Sequence, residues 1–214
     1  MATNAQAMAT SFKQDLLNGV HAFSSAYRSV DVFKAALFLV GQSLGAATTA
    51  YGGNTATSTA STIAGTALTI GGTVVGTWTV GMLLNGAGIT AGTYIVSGTY
   101  PNFVVNNTQS ISSQAINSTG ELTGTNYTAT GATITNATAP SNSGTTGFWT
   151  PSGNFVWTTL TSNGSFDAVL VYNSTAGGKN AVSVHTFGSQ NVTAGTFTLS
   201  MPANAAGTAL LNLA

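Results

Sequence analysis

Beyond residue 30 the apolar positions of this chain recur almost everywhere with a period of two. The clearest stretch is 166–172. Phe166, Ala168, Leu170 and Tyr172 fall on one side, and Asp167, Val169 and Val171 on the other. Successive strand residues point to opposite faces, so two largely apolar faces predict a central strand covered on both sides. Val182, Val184 and Thr186 alternate with Ser183, His185 and Phe187. Phe197, Leu199 and Met201 alternate with Thr198 and Ser200 until Pro202 stops the run. Phe155 with Trp157, and Leu211 with Leu213, repeat the pattern on a smaller scale. Earlier, Phe33, Ala35, Leu37 and Leu39 alternate with Val32, Lys34, Ala36 and Phe38, and Gly41 follows. A short aromatic run ended by glycine predicts another strand.

Before residue 30 the period changes. Phe12, Leu16 and Val20 share one helical face, and Ser11 to Gln14 has capping-box spacing. A short N-terminal helix ended by Gly19 is predicted, with an extended arm as the alternative. The middle of the chain reads as several short strands. These are 67–70 before Gly71-Gly72, then 74–80 broken by Gly76, then 82–84 before Asn85-Gly86. Strands at 93–96 and 103–105 follow, separated by Gly98 and Pro101, while 57–61 reads as a small-residue linker. Asn-Gly between apolar runs predicts a two-residue hairpin. Turn signals at such short intervals imply an all-β chain: an antiparallel β-sandwich or jelly-roll-like domain, or an open barrel.

Charge divides this β-rich chain. Only 4% of the 214 residues are charged, against roughly 25% in an ordinary globular domain. Lys13, Asp15, Arg28, Asp31 and Lys34 cluster near the start, residues 52–118 carry no charge, and Glu121, Asp167 and Lys179 complete the set. The uncharged middle therefore reads as a separate small β-module, residues 52–118, inserted into a main domain made of 1–51 and 119–214. Thr (37), Ser (21), Gly (26) and Asn (18) dominate the composition. The polar surface must be mostly hydroxyl and amide. Hydrophobic residues at 43% supply a core and argue against disorder. Zero net charge gives little repulsion between copies, which suits a fixed assembly and a homo-oligomer.

The same numbers exclude chemistry. Four scattered cations make no basic stripe for nucleic acid. The absence of Cys removes disulfides, thiolate metal sites and a Cys nucleophile. Four carboxylates are too few to predict a metal cage or an acid/base pair, so no metal or other cofactor and no enzymatic activity is expected. The first residues lack the basic start and apolar run of a signal peptide. The most apolar run, 32–40, is nine residues with Lys34 inside, far below the roughly 20 needed to span a bilayer. Synthesis in a cytoplasm is the expectation, and the seven Asn-x-Ser/Thr triplets are then what this composition gives by chance.

Several segments carry a resemblance. They are Thr10-Ser-Phe-Lys13, His21-Ala-Phe23, Asp31-Val-Phe-Lys-Ala-Ala-Leu37 and Thr48-Thr-Ala-Tyr51, then Thr119-Gly-Glu-Leu-Thr-Gly-Thr-Asn-Tyr-Thr128. Asn136-Ala-Thr-Ala-Pro140, Trp149-Thr-Pro151, His185-Thr-Phe-Gly-Ser189 and Ala194-Gly-Thr-Phe-Thr-Leu-Ser-Met-Pro202 continue it. Together they resemble a group of tailed-phage virion proteins over roughly 1–51 and 119–214. Residues 52–118 resemble a small β-module of phage structural and fibre proteins. The resemblance implies a virion structural protein on the capsid surface. That protein would be a head decoration or cement protein, plausibly a homotrimer, with the major capsid protein as partner. The alternative is a tail-fibre, head-fibre or receptor-binding protein whose inserted module contacts a host-surface glycan.

Within this frame the cluster Lys13, Arg28, Asp31 and Lys34 is either a solvated face or the group that docks on the capsid. Phe148, Trp149 and Trp157 are candidates for core packing, for a subunit interface or for a sugar-stacking platform. Trp78 and Tyr94 are expected to cap the core of the inserted module. A Ser-His-Asp triad around His185 and Asp167 lacks a Gly-x-Ser-x-Gly elbow. His21 reads as a packing residue. The glycines of 65–76 lack the Lys-Ser/Thr of a phosphate loop and read as turns. Glu121 and Asp167 are too far apart in sequence to argue a glycosidase pair.

Overall fold

A computed structural model describes the chain except for residues 1–2, 26–28, 53–54, 135–138, 152 and 214. Its elements run β1 (Ala7–Met8), α1 (Thr10–Leu17), β2 (Phe33–Leu39), β3 (Thr55–Thr69), β4 (Val74–Val75), β5 (Leu83–Asn85), β6 (Ile95–Thr99) and β7 (Asn102–Thr119). They continue β8 (Gly124–Thr125), β9 (Ala132–Thr133), β10 (Ser141–Ser143), β11 (Thr146–Trp149), β12 (Phe155–Ser162), β13 (Phe166–Asn173), β14 (Ala181–Gln190), β15 (Gly195–Leu199) and β16 (Leu211–Leu213). The chain is all-β, with one short helix among the described residues.

The main sheet has the order β1-β14-β13-β2-β9, every pairing antiparallel. The alternation at 166–172 and 33–39 places β13 and β2 side by side at its centre, with Leu170 opposite Ala36 and Tyr172 opposite Lys34. Nearly every side chain of both strands is buried, as two apolar faces require. Around one face Phe33 stacks on Phe23 at 4.4 Å, and Trp149 tilts against both rings. Elsewhere Phe166 meets Phe197 edge-on at 5.0 Å, which brings β15 against β13. Two three-stranded sheets, β10-β11-β16 and β15-β12-β8, complete this part.

Helix α1 forms as the apolar spacing predicts, with Phe12 buried and Gly19 just beyond its C-cap Asn18. Its cap differs. The N-cap is Ala9, which supplies no side-chain bond, and the Ser11 hydroxyl has no hydrogen-bond partner among the described residues. The helix starts before Ser11, so that residue lies inside the first turn and cannot serve as the cap.

Residues 55–119 form the sheet β4-β3-β7-β5, with β6 hairpinned onto β7. Its frame is a pair of long strands rather than a series of short ones. Residues 57–61 belong to β3 and are not a linker. Their buried positions are filled by Ser58 and Ser61, whose hydroxyls share a 2.5 Å hydrogen bond, so no apolar alternation marks the strand. Likewise β7 runs far past Val105 through Asn, Ser and Gln residues. At Gly65 (φ +66°) β3 bends so that Gly71 returns to Ala60, whose amide donates to the Gly71 carbonyl at 3.2 Å. Asn85-Gly86 does not make a two-residue hairpin. Leu84 N–H reaches the Thr93 carbonyl at 2.8 Å across a longer loop, and neither Asn85 nor Gly86 has the positive φ that a type I′ turn demands. The 74–80 run is strand only over Val74–Val75.

The two parts touch at Gly81 (φ +93°). A Cβ there would lie 2.1 Å from the Asn163 carbonyl and 2.9 Å from Leu39, so only glycine permits this approach. Gln42 Nε2 donates to Thr79 Oγ1 at 2.8 Å across the same junction.

Candidate functional site

Strand β2 continues past its short pairing with β9 along the segment that carries Glu121. Leu122 N–H donates to the Leu37 carbonyl at 2.8 Å, and this pairing sets Glu121 beside the sheet. The Glu121 carboxylate is 4% exposed. Tyr51 Oη donates to its Oε2, and Tyr127 Oη donates to its Oε1 at 2.9 Å. The Tyr127 oxygen also accepts the Leu37 amide at 2.9 Å. Tyr172 stacks on Tyr51 at 4.5 Å, and its hydroxyl donates to the Thr130 carbonyl at 2.7 Å. Burial pushes the Glu121 carboxyl above the usual carboxylate range, against the pull of the two phenol bonds and the Lys34 charge. Burial beside this acid also raises the three phenols, Tyr172 to about 12. The tyrosines therefore stay protonated donors.

Next to this cluster opens a cleft of about 630 Å3. Lys34, Asn126, Tyr127, Thr128, Trp157 and Thr159 stand among its walls. Lys34 is half-buried, and its ammonium donates to Thr130 Oγ1 at 2.7 Å. Asn126 Nδ2 donates to both the carbonyl and the hydroxyl of Thr159, at 3.0 and 2.9 Å. Asn126, Thr130 and Thr159 all hold positive φ, unusual for non-glycine residues and costly for β-branched threonine.

Among the described residues of the N-terminal cluster, Lys13, Asp31 and Lys34 sit in three different settings. Lys13 is exposed on α1, and Arg28 lies outside the described residues. Asp31 is buried. Its Oδ2 accepts the Ala22 amide and Asn173 Nδ2, each at 2.7 Å, and Asn173 also contacts His21 Nδ1 at 3.2 Å. Lys34 belongs to the separate Thr130 bond. A shared docking face from Asp31 and Lys34 is thus not what the fold builds. His21 packs at 5.0 Å from Phe12, with Asp15 3.7 Å from its Nε2.

Of the aromatic candidates, Trp149 is 2% and Trp157 6% exposed, and both are core residues. Trp157 packs on Phe155, Phe197 and Tyr127 while still bordering the cleft. Phe148 is partly exposed in an apolar groove of about 230 Å3 with Phe12, Leu16, Trp149, Leu211 and Leu213. Trp78 is buried in the smaller sheet's core and Tyr94 half-buried. His185 Nε2 bonds Ser183 Oγ at 2.9 Å, whereas Asp167 Oδ1 accepts from Asn4 Nδ2, so no Ser-His-Asp line is assembled. Burial lowers His185 to about 4 and keeps it neutral. Among the described residues no group of three metal-ligating side chains occurs, and no helix is long and apolar enough to cross a membrane.

Tyr51, Tyr127 and Tyr172 went unnoticed in sequence because only Tyr172 lies in an alternating run; the other two come from loops. The one available signal was Glu121, a lone acid beyond a long uncharged stretch. No family model, no curated protein and no solved structure matches the chain.

Proposed function

We propose that the chain is a non-enzymatic structural protein of a tailed-phage virion, a head decoration protein that binds across neighbouring capsid subunits. The observation that carries this reading is where the scarce charge goes. Asp15, Asp31, Lys34, Glu121, Asp167 and Lys179 each engage another group of the same chain. Among the described charged residues only Lys13 and Lys179 are exposed, so the rest of the outside is mostly hydroxyl, amide and apolar surface. Leu17 is 91% exposed, and Leu213, which lines the apolar groove, is 43% exposed. A surface without charge repulsion suits close repeated packing, and exposed apolar side chains suit burial against a partner. The segment resemblance described above points the same way.

The mechanism is linkage. A protein that binds the assembled shell and not its free subunits stabilises the shell by mass action. A homo-oligomer, a trimer in this reading, engages several subunits at once and multiplies the effect through high local concentration. The test is to strip the protein from particles, add it back, and record the temperature at which shells release their contents. Restored heat resistance supports the reading. Shells indifferent to the protein contradict it. A tail-fibre or receptor-binding role is the second reading, favoured by the open cleft beside Lys34, and binding to cells rather than to heads separates the two.

A further inference from the structure

The cleft combines features that act on one kind of ligand. Its single ionisable cation is Lys34, half-buried, and among the described residues that ammonium makes no ion pair. One of its three protons goes to Thr130, which leaves two donors for a ligand. No carboxylate stands among the described lining residues. Glu121 lies behind the wall with both oxygens taken by tyrosines. Two aromatic rings, Trp157 and Tyr127, border the cleft 6.4 Å apart and nearly parallel at 28°. Hydroxyls and an amide come from Thr128, Thr133, Thr158, Thr159 and Asn126, and Val156, 54% exposed, adds an open apolar side chain. The Asn126 amide nitrogen is fixed on Thr159, which turns its acceptor oxygen free for a hydroxyl. The volume of about 630 Å3 falls within the roughly 300–1,000 Å3 typical of small-molecule sites.

We infer that this cleft is a binding site for an acidic saccharide, whose carboxylate pairs with Lys34, whose hydroxyls meet the threonines and Asn126, and whose apolar edge lies along Val156. Each alternative leaves something unused. A neutral sugar offers the two remaining ammonium protons of Lys34 only hydroxyls, and so forgoes the stronger charge-assisted bond that a carboxylate makes. A phosphate group favours several cations or a nest of backbone amides, and here there is one lysine. An apolar ligand would bury the threonine hydroxyls unpaired. The positive-φ residues Asn126, Thr130 and Thr159 fix the wall beforehand, so less order is lost on binding. The inference is independent of the virion reading, since particle composition tests one and sugar binding the other.

The experiment is calorimetric titration of the whole protein with trigalacturonate and, in parallel, with the neutral trisaccharide galactotriose. The wild type is expected to bind the acid at least about tenfold more tightly, as a charge-assisted bond gives, and to lose that preference as salt is raised. Lys34→Gln keeps a donor for Thr130, and is expected to bring the two sugars to equal, weak binding. Thr158→Ala, at an exposed position, is expected to weaken both severalfold. Equal binding of the two sugars by wild type, acid binding unchanged in Lys34→Gln, or no binding of either sugar overturns the proposal. Should Lys34→Gln fail to fold, the wild-type preference and its decline with salt decide the matter.

Discussion

The central strands β2 and β13 and the long pair β3–β7 are both antiparallel, yet they hold their side chains in opposite ways. In β2 and β13 nearly every residue is buried, and rings and aliphatic chains cover both faces. In β3 and β7 the buried positions include Ala56, Ser58, Ser61 and Ser118, and much of the remainder of β7 is exposed Thr, Ser, Asn and Gln. Burying a large apolar side chain contributes about 1.5–3 kcal/mol, while a serine that exchanges water for a hydroxyl partner contributes far less. The lesson is that the long pair packs through one intermittent row, in which Ile63, Leu68, Phe103, Val105 and Ile116 alternate with small residues, whereas packing on both faces defines the main sheet. Ionisable chemistry follows the same division. Glu121 and His185 belong to the main sheet or its flank, and residues 52–118 carry no charge.

That contrast is broken most forcefully by Phe166→Ala. Phe166 is fully buried against Phe187 and Phe197, so the variant should lose about 3–5 kcal/mol in a denaturant titration. A loss below about 1 kcal/mol would show that the main sheet is not the stabilising core.

Next comes Tyr127→Phe, which keeps the ring and removes the hydroxyl that both donates to Glu121 and accepts from Leu37. About 1–3 kcal/mol should be lost, because a buried carboxyl and an amide each lose a partner. Full stability in the variant would mean that the cluster contributes nothing.

The pH dependence of stability sharpens the comparison further, since its source lies in the main sheet. The folded His185 titrates near 4, below its ordinary 6.5. Between these values the unfolded chain takes up a proton that the folded one refuses, so this group lowers stability as pH falls from 6.5 toward 4. Glu121 is raised, so it acts in the opposite sense and lowers stability as pH rises above its ordinary 4.5. Replacing His185 by Gln removes the first effect only. On acidification from pH 6.5 to 4, wild type should therefore lose about 1–3 kcal/mol relative to His185→Gln, the side chain being partly screened by solvent. Parallel pH profiles for the two proteins would contradict the assignment.

The smallest effect is expected at Ser112→Ala, exposed in the middle of β7, where stability should stay within about 0.5 kcal/mol of wild type. A larger loss would reveal side-chain support at a position of β7 that is exposed to solvent.

The same contrast governs how much could be read from the chain. The strands of the main sheet were legible because burial on both faces writes apolar residues in alternation, as in Phe33–Leu39 and Phe166–Asn173. Of the long strands only 67–70 and 103–105 were legible, because Ser58 and Ser61 sit where apolar residues would normally reveal the face. Asn85-Gly86 misled because the turn signal is local while the loop is set by the Leu84–Thr93 pairing. Of the cleft, Lys34 was singled out as a docking residue and Trp157 for core packing, a subunit interface or sugar stacking. Their meeting with Asn126 and Thr159 depends on long-range pairing of β8 with β12, which carries no local signature.

The central claim, a protein acting in many copies on a viral shell, is met most directly by counting copies per particle through quantitative gel densitometry of purified virions against the major capsid protein. The account predicts a number comparable with the capsid subunits. Absence from the particles, or a few copies confined to the tail, would contradict it.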